Sequence, residues 1–388
     1  MEGFEIMDLP EKGRSMIARK HFKTGEVIFE EEPFVSCQFS WNTAYGYAAC
    51  NHCMRPLETT EQNVRRLAND PTIRLPFPEH CPTKEWVSQM VTCSRCGVSY
   101  CSEDCRHEAL QKYHKVACMG VFQDDMTHPI NILNEKWKHM HYPRETGTIM
   151  LIVRLLAMYK QSIDKEEFLK TLKSFQSIVF NEELSIFHKM LGTNFENQLQ
   201  ELYSAYVSAF ASEELSMFLD VDTFKSLMGL IGTNSQGIAT SPLSQWVKKV
   251  SELDLPSEQK IQLDKYIDDL YYKIDQFAGD FLNTEGSGLY ILQSKINHSC
   301  VPNAESSFPY SNDILVLKAL RNILPGEEIC VSYLDECQLS RSRHSRQKEL
   351  RENYLFICKC PKCESQINDL DETSEEEEED DVDMEDDE

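Results

Sequence analysis

Eight soft metal ligands crowd into residues 50–118 of this chain: Cys50-x2-Cys53, Cys93-x2-Cys96, Cys101-x3-Cys105 and His114-x3-Cys118. A two- or three-residue step lets a tight turn aim two side chains at one ion, and four such half-sites make two tetrahedral zinc centres. Free cysteines otherwise scatter singly through cores, so metal explains the cluster better than packing does. The stretch between Cys53 and Cys93 carries Pro71, Pro76, Pro78 and Pro82 and reads as an inserted surface loop. Cys81 and His80 lie inside it as rival ligands; Cys93 is preferred because it completes a C-x2-C pair. His107, just past Cys105, reads as a solvated helix residue.

Cys358-x-Cys360-x2-Cys363 offers three more thiolates, and a closed structural site needs a fourth ligand. Cys300 is the candidate, with Cys330 and Cys337 nearer in sequence as rivals that spacing does not exclude. No stretch reaches the ~18 apolar residues of a membrane-spanning helix. The acidic start, Met1-Glu2-Gly3-Phe4-Glu5, has no apolar run behind it as a secretory signal would. The expectation is therefore a cytoplasmic protein, with the nucleus also open to it, whose 15 cysteines serve metal rather than disulfides.

The net charge of −25 is unevenly spread: residues 364–388 hold 16 acidic residues and no Lys or Arg. The rest of the chain is only mildly acidic, which argues against duplex nucleic acid, because such binding rests on neutralising phosphates. The run 374–388 reads as a disordered tail, either a solubilising appendage or one whose negative field raises encounter rates with cationic partners.

Three further strings carry a resemblance. They are Asn297-His298-Ser299-Cys300-Val301-Pro302-Asn303, Pro325-Gly326-Glu327-Glu328-Ile329 followed by Ser332-Tyr333, and Lys12-Gly13-Arg14-Ser15-Met16-Ile17-Ala18. Together they resemble a SET domain, the C-x-C-x2-C cluster resembles its post-SET segment, and the upstream ligands resemble a MYND finger. The chain is thus similar to the SET-and-MYND family. The resemblance implies an α+β fold: a mostly β SET core with a pseudoknot, interrupted by a zinc-binding MYND finger and a helical insert, then a zinc-binding post-SET segment. The implied segments are residues 1–49 for the first part of the SET domain and 50–118 for the finger with its long insertion. Residues 119–225 follow as the helical insert, 226–340 as the SET core, 341–363 as the post-SET segment and 364–388 as the acidic tail.

The resemblance also implies interleaved zinc ligation, Cys50, Cys53, Cys101 and Cys105 on one ion and Cys93, Cys96, His114 and Cys118 on the other. A third zinc would take Cys300, Cys358, Cys360 and Cys363. S-adenosyl-L-methionine is the implied cofactor, contacted by Lys12, Gly13, Arg14, Asn234, Asn297 and His298, with Asn234 on a strand. Tyr333 matches the catalytic tyrosine beside the cofactor, and Tyr354 and Phe356 match the aromatic residues that wall the lysine channel and pack the adenine. Ser15 stands where the family has a second glycine. The implied activity is methyl transfer to lysine of a basic protein, such as a histone tail or a ribosomal protein, by a monomer whose finger takes peptide partners. The competing reading is a MYND adaptor whose SET domain has weak or lost catalysis.

Local pattern adds four expectations. Residues 148–159 fit a buried helix, apolar on most faces. Residues 165–185 and 194–218 are helical by their three- and four-residue apolar steps. Residues 314–317 form a strand whose partner is 329–333, joined through the Pro325-Gly326 turn. Gly286-Ser287-Gly288 reads as a turn.

Overall fold

The computed structural model describes residues 3–10, 12–82, 85–140, 148–177, 186–191, 195–279 and 282–369. The acidic run 374–388 lies outside the described residues, as does the 178–185 part of the second expected helix.

Strands β1 (Phe4–Leu9) and β2 (Gly13–Ala18) form an antiparallel hairpin, and the last four residues of β2 are buried. β3 (Val27–Glu31) and β4 (Val35–Gln38) follow; β5 (Val91–Thr92) and β6 (Ser99–Tyr100) make the small hairpin of the finger. The remaining strands are β7 (Gln236–Thr240), β8 (Thr284–Leu289), β9 (Asn297–His298), β10 (Ala304–Ser307), β11 (Leu315–Ala319) and β12 (Glu328–Val331). They assemble as β1-β2-β12-β9, β10-β11-β3 and β4-β8-β7. Met16, Phe22, Tyr290, Leu315, Leu317 and Ile329 fill the core these sheets share.

The expected pairing of 314–317 with 329–333 does not occur. β11 pairs with β10 and β3, whereas β12 lies in another sheet between β2 and β9. Gly326 at φ +87° turns the chain from one sheet to the other, a backbone state that glycine adopts without a Cβ penalty. Gly286-Ser287-Gly288 is no turn either, because it lies inside β8, the middle strand of its sheet. A Cβ on Gly286 would come 2.4 Å from the Cys37 carbonyl oxygen, so the glycine permits close approach of β4.

The helical insert holds the largest core. Its Met150–Gln161 helix buries Leu151, Ile152, Val153, Leu155 and Leu156, as the apolar run requires. Arg154 is the exception on that helix. It is buried and donates to the carbonyls of Ser36 and Asn51, tying the insert to β4 and to the finger.

The 54–92 excursion differs most from expectation. Thr59 and Gln62 form a reciprocal capping box that starts a helix, Thr60–Leu67. Val64, Leu67, Ile73 and Leu75 bury against Leu243, Trp246, Leu263 and Ile267. Those partners belong to two helices, Pro242–Ser251 and Ser257–Ala278, within the stretch expected to be SET core. The excursion is thus a docked structural unit rather than a surface loop, and the fold mixes helix and sheet.

Candidate active site and metal centres

The interleaved ligand sets come together as three clusters. Cys50, Cys53, Cys101 and Cys105 form one, Cys93, Cys96, His114 and Cys118 a second, and Cys300, Cys358, Cys360 and Cys363 a third. In each, the four ligand atoms lie within 4.8 Å of one another. Neighbouring atoms are closer, with Cys53 and Cys101 Sγ 3.6 Å apart, Cys96 Sγ and His114 Nε2 3.6 Å apart, and Cys300 and Cys363 Sγ 3.6 Å apart. Tetrahedral zinc with Zn–S bonds of ~2.3 Å separates its sulfurs by roughly 3.8 Å, so all three sets fit zinc. Cys300 therefore completes the downstream trio. Cys81 packs with the excursion's apolar core, and Cys330 and Cys337 lie outside the clusters.

The parallel ladder of β9 with β12 pairs Asn297 with Cys330 and His298 with Val331. This sets the two residues beside the end of β12, from which Tyr333 follows. The Asn297 side-chain amide donates to Ser15 Oγ at 2.8 Å and to Glu328 Oε1 at 2.9 Å. Glu328 also pairs with Lys12 at 2.6 Å. Burial pushes the Glu328 carboxyl up, but the hydrogen bonds from Lys12 and Asn297 outweigh it and hold the group below its ordinary range. The hydrogen bond to Glu328 in turn raises Lys12. Gly13 adopts φ +67°, whereas Ser15 keeps a negative φ, so serine fits the place of the second glycine without strain.

Asn234 is not on a strand. It ends the helix Val221–Asn234, is buried, and clamps the backbone of Gln176, accepting from its N–H at 3.3 Å and donating to its carbonyl at 2.7 Å. Tyr333, Tyr354, Phe356 and His298 form an aromatic group: the Tyr333–Tyr354 centroids are 4.9 Å apart, Tyr333–Phe356 6.2 Å and His298–Tyr333 5.5 Å. Tyr333 donates its hydroxyl to the Ile296 carbonyl at 2.6 Å, and Tyr354 donates to the Tyr333 carbonyl at 3.2 Å. Burial raises both phenols, Tyr354 to about 12, so each is neutral at physiological pH. Burial pushes His298 down to about 4, leaving a neutral ring whose Nδ1 accepts from the Tyr333 N–H at 3.0 Å.

A cleft of about 470 Å³ is lined by Asn234–Gly237, Gln293, Ser294, Tyr333 and Tyr354 among others. Ser235 Oγ and Gln293 Oε1 are buried without a hydrogen-bond partner among the described residues. The cleft thus combines aromatic walls with a polar lining.

Comparison with known proteins bears directly on this arrangement. The SET domain family model matches residues 13–334. The chain is 52% identical over 365 residues to the protein-lysine N-trimethyltransferase SMYD5 of Gallus gallus, covering 94% of this chain and 86% of that protein. Its identity to SMYD5 of Homo sapiens is 49%, covering 94% and 87%. The chain belongs to the SET and MYND family. A SET and MYND domain-containing protein of Dictyostelium discoideum also matches, at 24% identity over 95% of this chain and 84% of its own length. Membership in this methyltransferase family implies S-adenosyl-L-methionine as the methyl donor, and the three clusters can hold zinc.

The link that Glu328 makes between Lys12 and Asn297 arises only in the fold. Its signal was an acid beside the turn, in Pro325-Gly326-Glu327-Glu328. Nothing local marked Gln293 or Ser235, which reach the cleft only through the fold. Among the described residues, no helix is long and apolar enough to cross a membrane.

Proposed function

We infer that this chain is a protein-lysine N-methyltransferase that transfers methyl groups from S-adenosyl-L-methionine to a basic protein. The observation that carries this reading is that β2, β12 and β9 lie side by side in one sheet, and Tyr333, two residues past β12, lines a cleft together with Tyr354. Bound there, the cofactor supplies an electrophilic methyl group on a sulfonium. The protein's part is to align an amine with that methyl and to exclude water.

Lys12, Gly13, Arg14, Asn234, Asn297 and His298 would hold the cofactor, and Phe356 would pack its adenine. A lysine amine must be neutral to attack, although its ordinary pKa is ~10.4. Aromatic walls at Tyr333 and Tyr354 disfavour the ammonium by removing water from it. Because burial keeps the Tyr333 phenol protonated, its hydroxyl orients the amine instead of acting as a base. The third zinc centre would hold Tyr354 and Phe356 against the cleft, since the ligand Cys358 follows Phe356 closely. The acidic tail would gather basic substrates by its field, with the finger free to take peptide partners and the chain working as a monomer in cytoplasm and nucleus.

Calorimetric titration with S-adenosyl-L-methionine, joined to turnover on a basic-protein extract, tests the reading. It requires cofactor binding by both wild type and Tyr333→Phe, and methylation that falls at least about a hundredfold in the variant. Wild-type protein that binds no cofactor would refute it, and methylation indifferent to Tyr333 would remove the role given to that residue.

A further inference from the structure

A basic string stands out in this acidic chain. Residues 337–348 carry Arg341, Arg343, His344, Arg346 and Lys348 and no Asp or Glu. They run into the helix Arg343–Tyr354, capped by Ser342, whose side chain accepts from the Ser345 N–H. His344, Lys348 and Arg351 fall at i, i+4 and i+7, on one face of that helix, and all three are exposed. The post-SET segment adds to this surface. Lys362 donates to the Leu339 carbonyl at 2.6 Å and Arg343 to the Cys363 carbonyl at 3.0 Å, so neutral oxygens accept from both cations. Lys359, between two ligands of the third metal cluster, is exposed.

The same contacts fix where the acidic tail leaves the body. Arg346 donates to Gln366 Oε1 at 2.7 Å, and the described chain ends three residues later, at Asp369. Residues 370–388 hold 14 acidic residues and no Lys or Arg, and half of those acids form the unbroken run 375–381. A chain spans at most about 3.5 Å per residue, so this run begins within about 21 Å of Asp369. The 12-residue helix is about 18 Å long, so the run can reach each cation on it. A tether this short gives an effective concentration on the order of millimolar, ahead of any polyanion supplied from outside.

We propose that the acidic segment 370–388 docks in cis on this basic face, with its run 375–381 against Lys348, Arg351, Lys359 and Lys362. Several cations meeting a continuous row of carboxylates act as a network, which is worth more than an isolated exposed ion pair. The charges stay at the surface, so the contact is reversible and screened by salt. The same helix lines the cleft with Glu349, Asn353 and Tyr354. Docking therefore holds the negative field of the tail beside the cleft, where a basic protein meets it.

Zero-length carbodiimide coupling of the full-length chain, read by mass spectrometry, tests this, because it joins lysine amines to carboxylates already in contact. A mixture of light and heavy-nitrogen chains separates links within one chain from links between copies. At low salt, Lys348, Lys359 and Lys362 should couple to residues 371–388 about tenfold more than Lys170 and Lys265, exposed lysines on other helices, and about 0.5 M salt should remove the difference. Lys348→Glu combined with Arg351→Glu should cut the coupling of Lys359 and Lys362 to the tail about threefold or more. Unchanged zinc content and melting temperature would establish that the double variant is folded. Coupling spread evenly over the exposed lysines, or indifferent to both salt and the double variant, would overturn docking on this face. Links found only between light and heavy chains would overturn docking in cis and assign the face to the tail of a second copy.

Discussion

Trp246→Ala should release the 54–82 excursion from the body of the protein while sparing the zinc clusters. The Trp246 ring is wholly buried at the centre of the apolar core that the excursion shares with Pro242–Ser251 and Ser257–Ala278. Its Nε1 donates to the Pro76 carbonyl at 3.2 Å, and Tyr266 caps the nearby Arg74 carbonyl at 2.8 Å. Truncating a buried tryptophan costs about 3–5 kcal/mol in transfer and cavity terms. Trp246→Phe keeps most of the ring and isolates the hydrogen bond, at about 1 kcal/mol. Hydrogen exchange read peptide by peptide is the assay. Amides of the Thr60–Leu67 helix should lose protection in the order wild type, Phe variant, Ala variant, with total zinc unchanged. Identical exchange in all three proteins would refute the reasoning and return the excursion to a loop that merely lies on the surface.

Other perturbations reach separate parts of the account. Arg346 is buried and donates to Cys300 Sγ at 3.4 Å and Cys363 Sγ at 3.8 Å, so Arg346→Met should weaken the third metal site about 10- to 100-fold; chelator competition should show one of three zinc equivalents leaving early, and uniform release would contradict this. Lys295, folded near 8 against an ordinary 10.5, binds fewer protons in the folded than in the unfolded chain between those values. Wild-type stability should therefore rise, relative to Lys295→Met, as pH climbs from about 8 toward 10.5, and parallel denaturation curves across that window would count against a buried ammonium. Removing residues 370–388 should leave methylation of a short peptide intact and slow capture of a basic protein at low salt; equal rates on both substrates would end the recruiting role of the tail.

The metal centres were the most legible part of the chain, because paired ligands at two- and three-residue steps constrain the backbone locally. The choice of Cys300 over Cys330 and Cys337 was not legible from spacing, since it depends on how β9 crosses beside β12. The buried helix at Met150–Gln161 could be read because its apolar run is long. By contrast, the prolines of the excursion suggested a loop, whereas its fold depends on Trp246 and Leu263, far away in sequence. The strand partners of β11 and β12 misled for a related reason: adjacent strands joined by a tight turn usually pair, but here the turn at Gly326 leads from one sheet into another. Asn234 kept its neighbourhood and changed its element, from strand to helix end, because the helix Val221–Asn234 runs on through the Gly232-Thr233 step.

Labelled methyl transfer followed by mass spectrometry of the modified peptides tests the central claim most directly. Incubated with S-adenosyl-L-methionine carrying a heavy methyl and with fractionated basic proteins, the wild-type chain should place the label on lysine Nζ, and Tyr333→Phe should abolish most of it. Label absent from lysine, or equal in the two proteins, would contradict the assignment of this site to protein-lysine methylation.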